Sequence, residues 1–167
     1  DFSSRFAEDG GLQHGAYGHR WREHFADGGK SALTSIDIDQ ITEIGDLLRR
    51  SPDTRQAVMV MWDPEVDLGA AKRDMPCNTH VYFRSRPASE KDSDKRRWLD
   101  LTVCCRSNDI IWGAYGANAV HMSIMGEVVA GLAGMRLGAY YQMSNNWHVY
   151  LEPYARIMGV EPSADGS

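Results

Sequence analysis

"LTVCCRSNDIIWGAYGANAVHMSIMGEVVAGLAGM", residues 101–135, contains a change of period, and that change decides the fold. Its opening completes the run WLDLTVCC (98–105), where apolar and polar residues alternate as on a half-buried strand. After CRSND (105–109) the alternation stops. Val120, Ile124, Val128 and Leu132 then recur at four-residue spacing within ANAVHMSIMGEVVAGLAGM (117–135). That spacing predicts one apolar helical face, long enough for a central core helix. Gly131 and Gly134 lower helix propensity and mark the helix end or a close packing contact.

Working outward, THVYF (79–83) alternates and predicts a second strand, while the short apolar run AVMVMW (57–62) predicts a buried one. In IDIDQITEIGDLLRRSP (36–52), Ile41, Ile44, Leu47 and Leu48 fall at helical spacing. Arg49 and Arg50 suit a helix C-terminus, and Ser51-Pro52 stops it. Between two strands lies RSRPASEKDSDKRR (84–97), mixed in charge and without apolar period, which predicts an exposed, mobile hairpin loop. Downstream, YYQMSNNWHVYLEP (140–153) predicts a short strand or turn and a further helix start. DFSSRFAEDGG (1–11) is polar and Gly-terminated, a loose leading segment. There are no internal repeats. The whole predicts a single α+β domain over residues 1–167, a mixed or mostly antiparallel sheet packed on a long buried helix.

Composition narrows the function classes. The chain has 167 residues, 43% apolar and 25% charged, which fits a globular domain with a sizeable core. No apolar run approaches the roughly 20 residues of a membrane span, and the N-terminus carries no signal-peptide pattern. Three cysteines, two of them adjacent (Cys104, Cys105), make a poor disulfide framework and suit a reducing, cytoplasmic setting. A net charge of −5 offers no general attraction to nucleic acid. A phosphate-bearing small molecule needs only a few local arginines. Neither a P-loop nor a dinucleotide-binding glycine pattern is present, and the histidines have no zinc-type pairing with the cysteines.

Three clusters carry chemistry. Cys77, in DMPCNTHVYF (74–83), follows a proline that fixes φ at the start of a strand. Taken alone it fits a buried small hydrophobe better than a nucleophile; a thiolate needs a lowered pKa from a nearby arginine or helix N-terminus. In CRSND, Arg106 can grip a carboxylate or phosphate in bidentate fashion and Ser107 can add a hydroxyl; a salt-bridged surface turn is the plainer reading. His148 and Tyr150 stand two apart in NNWHVY, on one face if this is a strand. Both could donate to sugar hydroxyls, or simply satisfy each other half-buried.

Each cluster is weak by itself, but their order is not. GAYGHRWREHF (15–25), SPDTRQAVMVMWDP (51–64), MPCN (75–78), LTVCCRSNDIIWGAYGANAVHMS (101–123) and NNWHVYLEP (145–153) together resemble the thymidylate synthase superfamily, over most of the chain. SNDIIWGAYGANAVH and SNNWHVY resemble the phage-type pyrimidine nucleotide hydroxymethylases more than cellular thymidylate synthase. The resemblance implies that Cys77 attacks C6 of a pyrimidine nucleoside monophosphate, and that C5 then takes a one-carbon unit from 5,10-methylenetetrahydrofolate. It implies phosphate binding by Arg106 and Ser107, and by Arg55 reaching the neighbouring subunit's site in a homodimer. Arginine near the thiol would favour the thiolate. Asp109 and Gly113 fall to the folate, Asn118 to the pyrimidine edge, His148 and Tyr150 to the sugar 3′-hydroxyl, and Tyr17 to the proton-transfer network.

The chain also departs from the pattern. Gln56 stands where the second cross-subunit arginine belongs, Asn78 replaces a histidine after the cysteine, and Asn146 replaces an aspartate. One extra residue lies in GAYGAN. The family's N-terminal region, with a further arginine and a glutamate, has no counterpart here. GVEPSADGS (159–167) lacks the apolar tail that shields the intermediate from water; without it, hydroxymethylation of dUMP or dCMP is expected over methylation. A thymidylate synthase proper and an inactive nucleotide-binding relative are the alternatives. No nucleic acid and no membrane partner are expected.

Overall fold

The structure is a computed structural model that describes residues 15–25, 38–69 and 74–159. The leading segment 1–11 and the tail 160–167 lie outside the described residues. In chain order the elements are α1 (Tyr17–Arg22), α2 (Gln40–Arg50), β1 (Val58–Val60), α3 (Pro64–Asp67), β2 (Asn78–Arg86), β3 (Trp98–Cys105), β4 (Asn108–Asp109), a π-helical turn (Ile110–Ala114), α4 (Ala117–Ala133), β5 (Arg136–Ser144), β6 (Trp147–His148) and α5 (Leu151–Met158).

Four strands form one sheet in the order β1-β2-β3-β5, antiparallel except for the parallel pair β3–β5. A parallel pair needs a crossover, and the segment from β4 through α4 supplies it. Strands β4 and β6 make a small parallel pair beside the main sheet. The α+β class and the mixed sheet packed on a long helix are as the sequence predicts. No helix among the described residues is long and apolar enough to cross a membrane.

The inner sheet face carries Met59, Val81, Phe83, Leu99, Leu101 and Val103, all buried against α4 and α2. Helix α2 forms where its spacing predicts. The Asp39 side chain caps its first turn by accepting from the N–H of Ile41 and Thr42, and Ile44 and Leu48 enter the core. Helix α4 ends at Gly134, whose φ of 69° is the left-handed cap glycine adopts without strain. Gly126 lets it approach β3: a Cβ there would stand 2.7 Å from Leu101.

Three expectations need correction. The core face of α4 is Met122, Met125, Gly126, Val129, Ala130 and Ala133; the stripe Val120, Ile124, Val128 and Leu132 is 39–55% exposed. An almost wholly apolar helix has no polar face to fix its rotation, so a four-residue stripe does not identify the buried side. Strand β1 is not buried through and through, because it lies at the sheet edge and Val60 faces outward. Segment 84–97 is less of a loop than expected: residues 84–86 belong to β2. Its tip is tied down by Asp92, which accepts from Ser89 N–H, Trp98 Nε1 and Arg136, while the Arg136 guanidinium stacks 3.7 Å over the Trp98 ring.

Candidate active site

The nucleophile candidate sits in the turn before β2 and is held there by β3. Arg106 N–H donates to the Cys77 carbonyl (2.9 Å), and its guanidinium donates to the carbonyls of Pro76 (3.0 Å) and Met75 (3.4 Å). The same guanidinium lies 5.5 Å from the centre of the Trp62 ring. Arg106 thus clamps the Pro-Cys turn from the adjacent strand, a positioning role the sequence did not announce. The expected effect on the thiol is only half met. Arg106 pulls the Cys77 pKa down, but burial pushes it up by more, and Asp74 and Asp109 add to the rise. The resting thiol is protonated at neutral pH.

Cys77 opens onto a cavity of about 500 Å³ whose walls include Tyr17, Trp21, Asp74, Asn118 and His121. Tyr17 stacks on Trp21 and meets His121 edge-on. Burial raises the Tyr17 pKa well above its ordinary value, helped by the nearby Cys77. Its phenol is therefore a neutral hydroxyl that can donate and accept. Asp74 accepts from Gly15 N–H (2.8 Å), which fixes the start of α1 over the cavity. His121 was missed from sequence, although its place one turn beyond Asn118 on α4 was a usable signal.

A second group of the expected residues meets beside the Pro-Cys turn. Ser107 Oγ lies 3.2 Å from His148 Nδ1, and the His148 and Tyr150 rings pack edge to face at 5.2 Å. Only His148 is on a strand; Tyr150 caps α5, so the shared strand face does not exist and the ring contact replaces it. The buried Asp109 carboxylate accepts from Trp112 N–H (2.6 Å) and Tyr150 N–H (3.3 Å), which joins the start of the π-helical turn to the start of α5.

The π-helical turn, Ile110–Ala114, runs into GAYGAN, the stretch where the resemblance implies one extra residue. A π turn closes i→i+5 where an α turn closes i→i+4, so it takes in one residue without re-phasing the helix downstream. Tyr115 N–H accordingly donates to the Ile110 carbonyl (3.2 Å). Asn118 still reaches the Cys77 cavity. Gly113 packs against it so tightly that a Cβ would sit 1.9 Å from Asn108 Oδ1 and 3.2 Å from Asn118 Nδ2.

Asn78, at the position of the expected histidine, is fully buried; its Oδ1 accepts from the Cys105 thiol at 2.8 Å, and its Nδ2 has no hydrogen-bond partner. Cys105 lies in the core, and Cys104, its neighbour on β3, faces the other side of the sheet and is half-buried. Arg55 stands apart from all of these. It precedes β1 and lines a separate cavity with Tyr82 and Arg84, near the far end of β2. From Asn78 to Phe83 that strand runs about 16 Å at roughly 3.3 Å per residue.

The family model described as thymidylate synthase matches residues 3–159. The deoxyuridylate hydroxymethyltransferase of Pseudomonas phage M6 is 42% identical over 152 residues, 91% of this chain and 38% of that protein. The deoxyuridylate hydroxymethyltransferase of Bacillus phage SP01 is 34% identical, over 90% of this chain and 37% of its own length. The chain therefore spans less than two fifths of these relatives. Among solved structures, thermostable thymidylate synthase A from Bacillus subtilis shares the fold with a TM-score of 0.65 at 21% identity, covering 95% of this chain and 51% of that one. Sequence and fold agree: the chain belongs to the thymidylate synthase family.

Proposed function

We propose that the protein transfers a one-carbon unit from methylenetetrahydrofolate to C5 of deoxyuridylate and releases the hydroxymethyl product. The carrying observation is the clamped Cys77 at the mouth of a cavity that also presents Tyr17 and Asn118. The names of the phage relatives favour uracil over cytosine and hydroxymethylation over methylation.

In this reading Cys77 Sγ bonds to C6, the C5=C6 π pair moves onto C5 and O4, and C5 forms the new carbon–carbon bond. Loss of the C5 proton accompanies cleavage of the bond between the new carbon and the folate nitrogen, so that tetrahydrofolate leaves. Water then adds at the new carbon, its proton going to the departing amine, and cleavage of the C6–S bond returns the thiolate. The neutral Tyr17 hydroxyl relays the C5 proton. Asn118 reads the ring edge with one amide donor and one acceptor. Arg106 and Ser107 take the phosphate, and His148 and Tyr150 the 3′-hydroxyl. Because the Arg106 guanidinium also holds the Pro76 turn, phosphate binding and thiol placement share one side chain.

The folate supplies carbon at the formaldehyde level. The wall beside Asp109 fits a flat ring with hydrogen-bonding edges. Ile110 and Trp112 expose apolar surface there, and the Asp109 carboxylate keeps acceptor capacity after its two backbone bonds. Gly113 holds this wall against Asn118.

The active unit in this reading is a homodimer. The outward sheet face supports it: Val60, Tyr82, Tyr141 and Met143 are 39–62% exposed on the strands of one sheet. So does Arg55, too far along β2 to serve Cys77 of its own chain. Mass spectrometry of the product from deoxyuridylate and methylenetetrahydrofolate tests the reaction. A gain of one hydroxymethyl group is expected. A methyl group with dihydrofolate released selects thymidylate synthesis instead, and binding of nucleotide without turnover selects an inactive relative.

A further inference from the structure

The cavity that holds Arg55 contains a second uncommitted guanidinium. It measures about 440 Å³ and is lined by four arginines, at 55, 84, 86 and 97. Two are engaged: Arg97 pairs with Asp53, and Arg86 Nε donates to Asp100 (2.7 Å). Arg55 and Arg84 are exposed, and among the described residues neither makes a side-chain hydrogen bond or ion pair. Asp100 is the β3 neighbour of Arg84, but its carboxylate already accepts from Arg86 and from Ala139 N–H.

The register gives Arg84 its meaning. Val58 opposes Tyr82, and Phe83 N–H donates to the Ala57 carbonyl (3.0 Å), so the antiparallel count continues past the end of β1. It sets Gln56 opposite Arg84, where facing Cβ atoms stand about 4.5–5.5 Å apart. Gln56 occupies the position where the family resemblance implies a second arginine after Arg55. The cation missing at 56 is present one strand over.

We infer that Arg84 is the second cation of the phosphate-binding pair: with Arg55 it binds the nucleotide phosphate held at the neighbouring subunit's Cys77 site. Two guanidiniums matched to one phosphate dianion give the paired, directional donors that such recognition uses. The inference rests on the homodimer and nucleotide reading above.

The test measures binding of deoxyuridylate and of deoxyuridine, which lacks the phosphate, to the full-length protein and to Arg84→Gln, Arg55→Gln, Arg86→Gln and Arg106→Ala. Arg84→Gln should weaken deoxyuridylate about tenfold and leave deoxyuridine unchanged, as Arg55→Gln should. Arg86→Gln, whose side chain is spent on Asp100, should change neither. Mixing Arg84→Glu with Cys77→Ser subunits should restore turnover that each lacks alone, because one hybrid site carries neither lesion; a merely misfolded variant would not complement. If Arg55→Gln loses phosphate affinity and Arg84→Gln does not, or if Arg84 and Arg86 variants lose it equally, the assignment of Arg84 is wrong and the dimer reading stands. If only Arg106→Ala matters, the cross-subunit reading itself falls.

Discussion

Replacing Gly113 by alanine tests the link between the π-helical turn and Asn118. The new Cβ would begin 1.9 Å from Asn108 Oδ1, and contacts under 3.0 Å are essentially never seen, so that oxygen must retreat by about 1.1 Å. Asn108 is poorly placed to yield. Its side chain is buried, its Nδ2 donates to Ser144 Oγ at 3.1 Å, and its backbone N–H donates to the Asn146 carbonyl at 2.8 Å. A retreat of that size ends the Ser144 bond, worth about 1 kcal/mol, on top of an overpacking cost of roughly 1–3 kcal/mol. The expected loss is about 2–4 kcal/mol, with Asn118 displaced as well, since its Nδ2 lies 3.2 Å from the same Cβ. Urea unfolding should show a lower midpoint at unchanged slope, and nucleotide affinity should fall with it. Gly131→Ala is the matched control. Gly131 is exposed inside α4 with nothing within 4 Å of its Cβ, so alanine should stabilise by roughly 0.5–1 kcal/mol. If Gly113→Ala costs less than about 1 kcal/mol, the close approach at Asn108 is not what fixes this turn.

Arg20 and Asp67 form an ion pair that is almost completely buried (2.8 Å). Arg20→Met alone should cost about 3–5 kcal/mol by stranding the carboxylate, and adding Asp67→Leu should recover most of that in the same unfolding assay; an additive double variant refutes the coupling. Cys77→Ser should abolish turnover while nucleotide binding, measured by calorimetry, stays near normal; retained turnover would move the nucleophile elsewhere. Alkylation of Cys77 by iodoacetamide should rise with pH past the ordinary thiol range, and Arg106→Ala should shift that rise further up, because it removes the one influence lowering this pKa; an unshifted profile refutes the electrostatic link. Stability should fall as pH climbs from about 8 to 11, through Cys77 and Cys105 (pushed up to about 11) first and through Tyr17 and Tyr140 (about 12) from about pH 10: the folded state holds all four protonated by burial, while the unfolded chain releases those protons at ordinary values. A urea midpoint level across that range refutes it.

Helix α2 and strands β2 and β3 were legible because each pairs one buried face with a polar one and carries its own stop signals. The rotation of α4 was not. Its core side is Met122, Met125, Gly126, Val129, Ala130 and Ala133, three of them glycine or alanine, while Val120, Ile124 and Val128 on the other side make an equally apolar stripe that points outward. Cys77 was singled out as the candidate nucleophile through the order of motifs rather than through its surroundings. The Arg106 grip on Pro76, which joins residues 30 apart in sequence, and the Arg20–Asp67 pair, 47 apart, come from long-range packing that no local window contains. Segment 84–97 is the exposed hairpin connection its charge predicts from 87 onward; what the sequence did not show is that 84–86 extend β2 and that Asp92 and Asp94 pair with Arg136.

The π-helical turn also bears on how this fold tolerates changes in chain length. A one-residue insertion between Asp109 and Asn118 would ordinarily rotate α4 by about 100° and carry its side chains off target. Here the π turn Ile110–Ala114 holds one residue more than an α turn would, a reservoir that can be emptied as easily as filled. Deleting one residue within it should turn the π turn into an α turn and leave Asn118, His121 and the core face of α4 in place. Indels in this lineage should therefore accumulate at this turn and be purged on either side of it.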